Sequence, residues 1–313
     1  MFFDTPDITP YRAGTDGLAY VHTFRSGKPG PHVCINALTH GNEICGAWAV
    51  DALLKEGVRP RSGTLSLSFA NVEAFSRFDP AAPEATRWVD EDMNRVWDDS
   101  TLDGPRQSLE LARARALRDF FGTVDFLLDL HSMHTPGPAL GLSGPTRGGL
   151  EFACRMGIPE HVVIDAGHSA GRRLRDFGNF GAESSPRQAL LVECGYHFDS
   201  ASVEIAQLAS HRFLDLTGVC PGLCPTAPFQ HPKVVRIIEA VTIRSERFRF
   251  AQEWDSMQTI PQAGTVIATD GETPVLTPCD DCVLVMPAPA RYQLPGMTAV
   301  RLGQWQAAAG ESR

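Results

Sequence analysis

Three short, nearly uninterrupted apolar runs, at residues 33–38, 126–130 and 189–192, each lead into residues that can bind a metal or carry a proton. The first runs into His40-Gly41-Asn42-Glu43, the second into His131 and the third into Glu193. Strands buried on both faces read as near-continuous apolar runs, which is the pattern of a parallel sheet rather than of a half-solvated antiparallel one. Open α/β sheets place their sites at the carboxyl ends of such strands. A His and a Glu three residues apart, where a strand gives way to a loop, can close on one ion. Catalytic zinc takes three nitrogen or oxygen ligands and keeps a fourth position open. His40, Glu43 and His131 form such a set, and Glu193 is a spare carboxylate beside it.

An α/β pattern extends from about residue 31 to 217, with helices expected at 44–56, 107–121, 149–156 and 203–216. Leu109, Leu111, Ala112, Ala116 and Leu117 give the second helix an apolar face, and Gly122 is its stop signal. Residues 219–228 are rich in proline and cannot form regular helix. Beyond them lie short β-branched segments, at 234–243, 248–250, 265–268, 275–277 and 283–286. The chain is therefore expected to divide at 1–220 and 233–313, the second part being a small all-β domain. Its stretch 264–278 is similar to a lipoyl-type barrel but lacks a central lysine, which suits a scaffold or lid rather than a cofactor carrier.

With 43% hydrophobic and 21% charged residues the chain is globular. Its net charge of −9 argues against nucleic acid as partner. No apolar stretch reaches the ~18 residues of a membrane span, and residues 1–7 lack the basic and apolar regions of a signal peptide. A cytoplasmic protein is expected. Cys34, Cys45, Cys154 and Cys194 read as buried reduced thiols. Cys220 with Cys224 and Cys279 with Cys282 could also be two halves of a structural zinc knuckle. Disulfides would need an oxidising compartment that nothing in the sequence supports.

Four motifs, His40-Gly41-Asn42-Glu43, Asp92-Met93-Asn94-Arg95, Asp129-Leu130-His131 and Glu193-Cys194-Gly195, resemble the succinylglutamate desuccinylase/aspartoacylase family. That family lies within the zinc-carboxypeptidase-like enzymes, and the likeness covers roughly residues 30–215. It implies a mixed sheet flanked by helices with a smaller C-terminal all-β domain bordering the site. It further implies one catalytic Zn2+ and hydrolysis of the amide of a small N-acyl amino acid. Under the resemblance Glu193 is the general base, Arg87 stabilises the oxyanion, and Asn94 and Arg95 hold the substrate α-carboxylate. Tyr292 matches a tyrosine that the C-terminal domain contributes. Asp129 is a support residue for His131, because metal-bound imidazoles donate their second N–H to a carboxylate or carbonyl.

Structural alternatives stand beside these roles. Glu43 could be an early-turn acid favoured by a helix dipole, Glu193 and Arg95 members of ordinary ion pairs, and Asn94 a turn residue. Arg77 competes with Arg87 across an insertion-prone loop at 79–84. His134 and His197 could line the pocket. His32, His161, His168, His211 and His231 match no ligand spacing. Arg187 could hold an acidic substrate side chain, but Asp176 and Glu183 suit a neutral or cationic one better. An N-acetyl amino acid whose side chain need not be acidic is therefore expected, an N-acetylated diamino acid being one possibility. A zinc carboxypeptidase acting on short peptides and a zinc-retaining binding protein without turnover are the alternatives. Oligomeric state, a homo-oligomer included, is open.

Overall fold

The computed structural model describes residues 4–167 and 170–306. His168 and the outermost ends of the 1–220 and 233–313 divisions lie outside the described residues. In chain order the first half carries β1 (Val21–Arg25), β2 (His32–Ala37), α1 (Ile44–Lys55), β3 (Thr64–Phe69) and α2 (Val72–Phe75). Then come α3 (Asp99–Leu102), α4 (Leu109–Phe121), β4 (Phe126–Met133), β5 (Leu140–Leu142), α5 (Arg147–Met156) and β6 (His161–Ile164). β7 (Gln188–Tyr196) and α6 (Ser200–Leu216) complete this part. The remainder is β8 (Lys233–Thr242), β9 (Phe248–Phe250), β10 (Gln258–Ile260), β11 (Val266–Asp270), β12 (Thr273–Leu276), β13 (Cys282–Val285) and β14 (Thr298–Trp305).

The large sheet has the order β1-β3-β2-β4-β7-β5-β6-β8-β14-β13-β10. Its centre is parallel: β2 pairs with β3 and β4, and β4 pairs with β7. The three apolar runs are these buried strands, so their carboxyl ends open on one edge. Helices α1, α5 and α6 cover one face through a core that includes Leu53, Phe152, Met156 and Phe213. The other face is closed by α4 together with Trp97, Leu174 and Phe177. Each expected helix is present, starting one residue or more from its expected position where a cap sets the boundary. Ser108 accepts the Leu111 N–H, Thr146 that of Gly149 and Asp199 that of Ala201.

The β-rich C-terminal region divides its strands between two sheets. β9, β11 and β12 form a small antiparallel sheet, while β8, β14, β13 and β10 extend the large one. β8 adds in parallel to β6, with His161 opposite Lys233, so the large sheet runs without a break across the proline-rich segment. This connection brings β14 and residues 286–298 up against the carboxyl ends of the central strands. No helix of the described residues is long and apolar enough to cross a membrane. All eight cysteines are free thiols, and the two cysteine pairs do not make a metal group among the described residues.

Helix α1, which follows the His40–Glu43 loop, lies close on the sheet at Gly46. A Cβ there would come 3.0 Å from Leu130 Cβ and 3.1 Å from Ala37 Cβ. Gly46→Val should push the helix off β2 and β4 and destabilise the fold by about 1–3 kcal/mol, read as a lower urea midpoint. An unchanged midpoint would show that the helix is not held at this distance.

Candidate metal centre

The strand register sets the centre of the site. In the parallel pairing of β4 with β7, His131 stands directly opposite Glu193, and a register irregularity follows immediately. One strand over, β2 gives way to Leu38, which is fully buried yet has φ +61. Few non-glycine residues adopt that conformation, and it is a reservoir of local strain. The turn sends the chain back so that His40 and Glu43 face His131. Gly41 is needed at the tightest point, because a Cβ would lie 2.5 Å from the Ala74 carbonyl carbon and 2.5 Å from the Thr86 oxygen.

Glu43 is the residue before α1, but its carboxylate makes no cap hydrogen bond. Instead Oε1 lies 2.8 Å from His40 Nδ1 and accepts from Arg87 Nη1 at 2.9 Å. Its Oε2 lies 2.7 Å from His131 Nδ1, yet this contact lacks hydrogen-bond alignment and Oε2 has no donor. Burial alone would raise the Glu43 carboxyl; His40 and His131 outweigh it and hold it well below the usual range. The opposite ring nitrogens are backed by carboxylates. His40 Nε2 meets Asp92 Oδ1 at 2.8 Å, and His131 Nε2 meets Asp129 Oδ2 at 2.9 Å. Asp129 is itself fixed by Asn36 Nδ2 and the Thr39 hydroxyl.

These residues fit a divalent cation of the zinc type. Two imidazole nitrogens and a carboxylate converge, both imidazoles have the carboxylate backing that orients metal-bound histidines, and a buried carboxylate oxygen faces the group without a donor. Glu193 Oε2 is a second such orphan. Burial pushes the Glu193 carboxyl up to about 7, with His131 pulling down and Glu43 pushing up.

All eight expected site residues line one cleft: His40, Glu43, Arg87, Asn94, Arg95, His131, Glu193 and Tyr292. Arg87 lies against both Glu43 and His40, whereas Arg77 pairs with Glu73 at the surface. The loop carrying Arg87, Asp92 and Asn94 is anchored by the fully buried Glu110, whose carboxylate accepts the N–H groups of Val89, Asp90 and Glu91. Asn94 Oδ1 accepts from Leu174 N at 2.9 Å, which ties this loop to the next. Arg95 Nη1 donates to the Asn94 carbonyl, and its Nη2 lies 3.7 Å from Asp92. Tyr292 donates its hydroxyl to Glu84 Oε2 at 2.8 Å and packs its ring, tilted by 36°, against His134 with centroids 4.2 Å apart.

Sequence reasoning missed Arg173 and Arg301, which line the same cleft. Both reach Asp165 Oδ2, at 2.8 and 3.0 Å. Burial would raise Asp165, but the two guanidinium groups hold it at about 2. Arg173 is 4% exposed, and its Nη1 has no partner. The residues weighed for substrate charge lie elsewhere. Arg187 donates to the Gly122 carbonyl near the opposite ends of the strands. Glu183 accepts from the Arg147 backbone, and Asp176 pairs with Arg175. Neither carboxylate lines the cleft, so neither bears on the charge of the substrate side chain.

A family model described as the succinylglutamate desuccinylase/aspartoacylase catalytic domain matches residues 29–196. An aspartoacylase from Xenopus tropicalis is 32% identical over 114 residues, which is 34% of this chain and 35% of that protein. A probable aspartoacylase from Parasynechococcus marenigrum is 35% identical over 135 residues, 40% of this chain and 43% of that protein. The chain thus aligns with well under half the length of these relatives. Over a longer span the fold is similar to a succinylglutamate desuccinylase from Vibrio cholerae, with TM-score 0.71 and 18% identity over 91% of this chain and 85% of that one. That last likeness is one of fold.

The backing carboxylates give a direct test. Asp129→Asn should lower zinc affinity by about 10–100-fold, measured by competition with a chromophoric chelator. Unchanged affinity would remove Asp129 from the support of His131.

Proposed function

The chain belongs to the succinylglutamate desuccinylase/aspartoacylase family, and on that premise we propose that it hydrolyses the amide bond of an N-acyl amino acid. The products are a carboxylate and a free amino acid. The observation that carries this reading is the pairing of His131 with Glu193 across β4 and β7, with His40 and Glu43 facing the same point. His40, Glu43 and His131 are the residues that would hold zinc. When bound, zinc supplies a Lewis acid and acidifies water towards a pKa of ~7.

The chain's own groups do the rest. Glu193 takes the proton of the attacking water on its unpartnered oxygen and returns it to the departing amine. A carboxyl held at about 7 is suited to both transfers at neutral pH. Arg87 faces the negative charge that develops on the amide oxygen, which preorganised positive groups stabilise most strongly in the transition state. Arg95 offers a planar fork for the α-carboxylate, with Asn94 bracing the loop beneath it. Tyr292 closes the mouth of the cleft.

Substrate charge is revised by the cleft. The unpartnered Arg173 Nη1, with Arg301 beside it, supports a second anionic group on the substrate. An acetyl group and an acidic side chain are the combination we favour. Walls built from residues 286–289, 297, 298 and 301 suit a small molecule better than a peptide. The eight free thiols suit a reducing setting such as the cytoplasm.

The test is amine release from a panel of N-acyl amino acids and short peptides, with and without chelator. Chelator-sensitive release from acyl amino acids supports the reading; release from peptides alone would make the protein a carboxypeptidase. Glu193→Gln should lower kcat by about 100-fold or more and leave the zinc content unchanged. Activity retained in that variant would remove Glu193 from the mechanism. The base works only when deprotonated, so kcat/KM should fall as the pH drops through about 7, or lower where the bound cation draws the carboxyl down; a flat acid limb would contradict it. Arg173→Leu should raise KM for acidic substrates about tenfold or more and spare neutral ones. Equal loss on both would argue against a side-chain contact.

A further inference from the structure

Beside the first site lies a second convergence of metal-binding side chains. Glu84, His134 and His197 each offer one ligand atom, and these atoms lie within 4.8 Å of one another. His134 Nδ1 is 3.0 Å from Glu84 Oε2 and 3.0 Å from His197 Nε2. For a tetrahedral ion with bonds near 2.0–2.1 Å, neighbouring ligand atoms stand about 3.3 Å apart. The two 3.0 Å edges are close to that spacing and the third, between Glu84 and His197, is within 4.8 Å; the His40, Glu43 and His131 set has contacts of 2.7–2.8 Å.

Hydrogen bonding alone satisfies this triangle poorly. A neutral imidazole nitrogen bears either one proton or one lone pair. If His134 Nδ1 donates to Glu84, it has no lone pair for His197, so a single proton is shared between two acceptors; if it accepts from His197, it faces the carboxylate with lone pair against lone pair. A cation at the centre serves all three. His197 is fully buried, and its other nitrogen is held by the Ser132 hydroxyl at 2.8 Å. A second nitrogen held in this way fixes the orientation of the ring, as outer partners do for metal-bound imidazoles. Glu84 Oε1 pairs with Arg291 and Oε2 with the Tyr292 hydroxyl, so its carboxylate also reaches the C-terminal region.

We propose that Glu84, His134 and His197 form a second site for a divalent cation of the zinc class, next to Tyr292 and separate from the His40 site. Two imidazoles and a carboxylate select zinc and its neighbours over magnesium or calcium. Occupancy recruits the oxygen that now accepts from Tyr292, so the ion and the tyrosine position are linked. The proposal does not depend on hydrolysis, nor on which substrate the cleft accepts.

Tag-free protein equilibrated with buffered free zinc, then assayed for metal by elemental mass spectrometry, tests it. The wild-type chain should carry two zinc ions. Glu84→Gln and His134→Asn, both at partly exposed positions, should each carry one, and His40→Ala should keep the ion of the second site. One ion in the wild type, unchanged in Glu84→Gln, would overturn the proposal. So would two ions that persist in both Glu84→Gln and His134→Asn, because the extra ion would then lie elsewhere.

Discussion

The Glu43 carboxylate is the joint on which this site is assembled. One oxygen faces His40 Nδ1 and Arg87 Nη1, and the other faces His131 Nδ1. Three separate pieces of chain, the β2–α1 turn, the 86–95 loop and strand β4, thereby meet at one group that is 1% exposed. Removing a buried carboxylate from such company would leave two imidazoles and a guanidinium facing each other. A largely buried guanidinium stripped of its nearest carboxylate is costly, and both imidazoles would lose the group they face. The arrangement therefore depends on the Glu43 carboxylate at its centre.

Rigid packing makes that convergence possible. Leu38 holds a left-handed backbone within the core, and Gly41 passes between the α2 backbone and the Thr86 carbonyl. Both features cost local stability, and the surrounding sheet and helices compensate for it. Glu110 adds a quieter support: from α4, on the far face of the sheet from α1, it gathers three backbone N–H groups of the loop that carries Arg87 and Asp92. The site therefore depends on both layers of the fold, one through α1 and one through α4.

Residues adjacent to strand ends were legible in the sequence because a buried parallel strand announces itself as an apolar run and its end is a fixed place in the sheet. His40, Glu43, His131 and Glu193 were read in this way. Arg173 and Arg301 were not, because their meeting at Asp165 depends on β8 joining β6 and carrying β14 inward. No local pattern encodes that pairing; the C-terminal segments announced strands without announcing their partners. Glu84 sat in a loop set aside as insertion-prone, although its carboxylate touches His134 and Tyr292. Glu110 read as one more charge on a helix, and only the tertiary packing shows the backbone it holds.

Anomalous diffraction at the zinc edge, from crystals of the zinc-loaded protein, tests the central claim most directly. A peak is expected about 2.0–2.2 Å from His40 Nδ1, a Glu43 oxygen and His131 Nδ1, with the Glu193 carboxylate beside it. A peak held instead through the outer nitrogens by Asp92 or Asp129, or none among these residues, would contradict it.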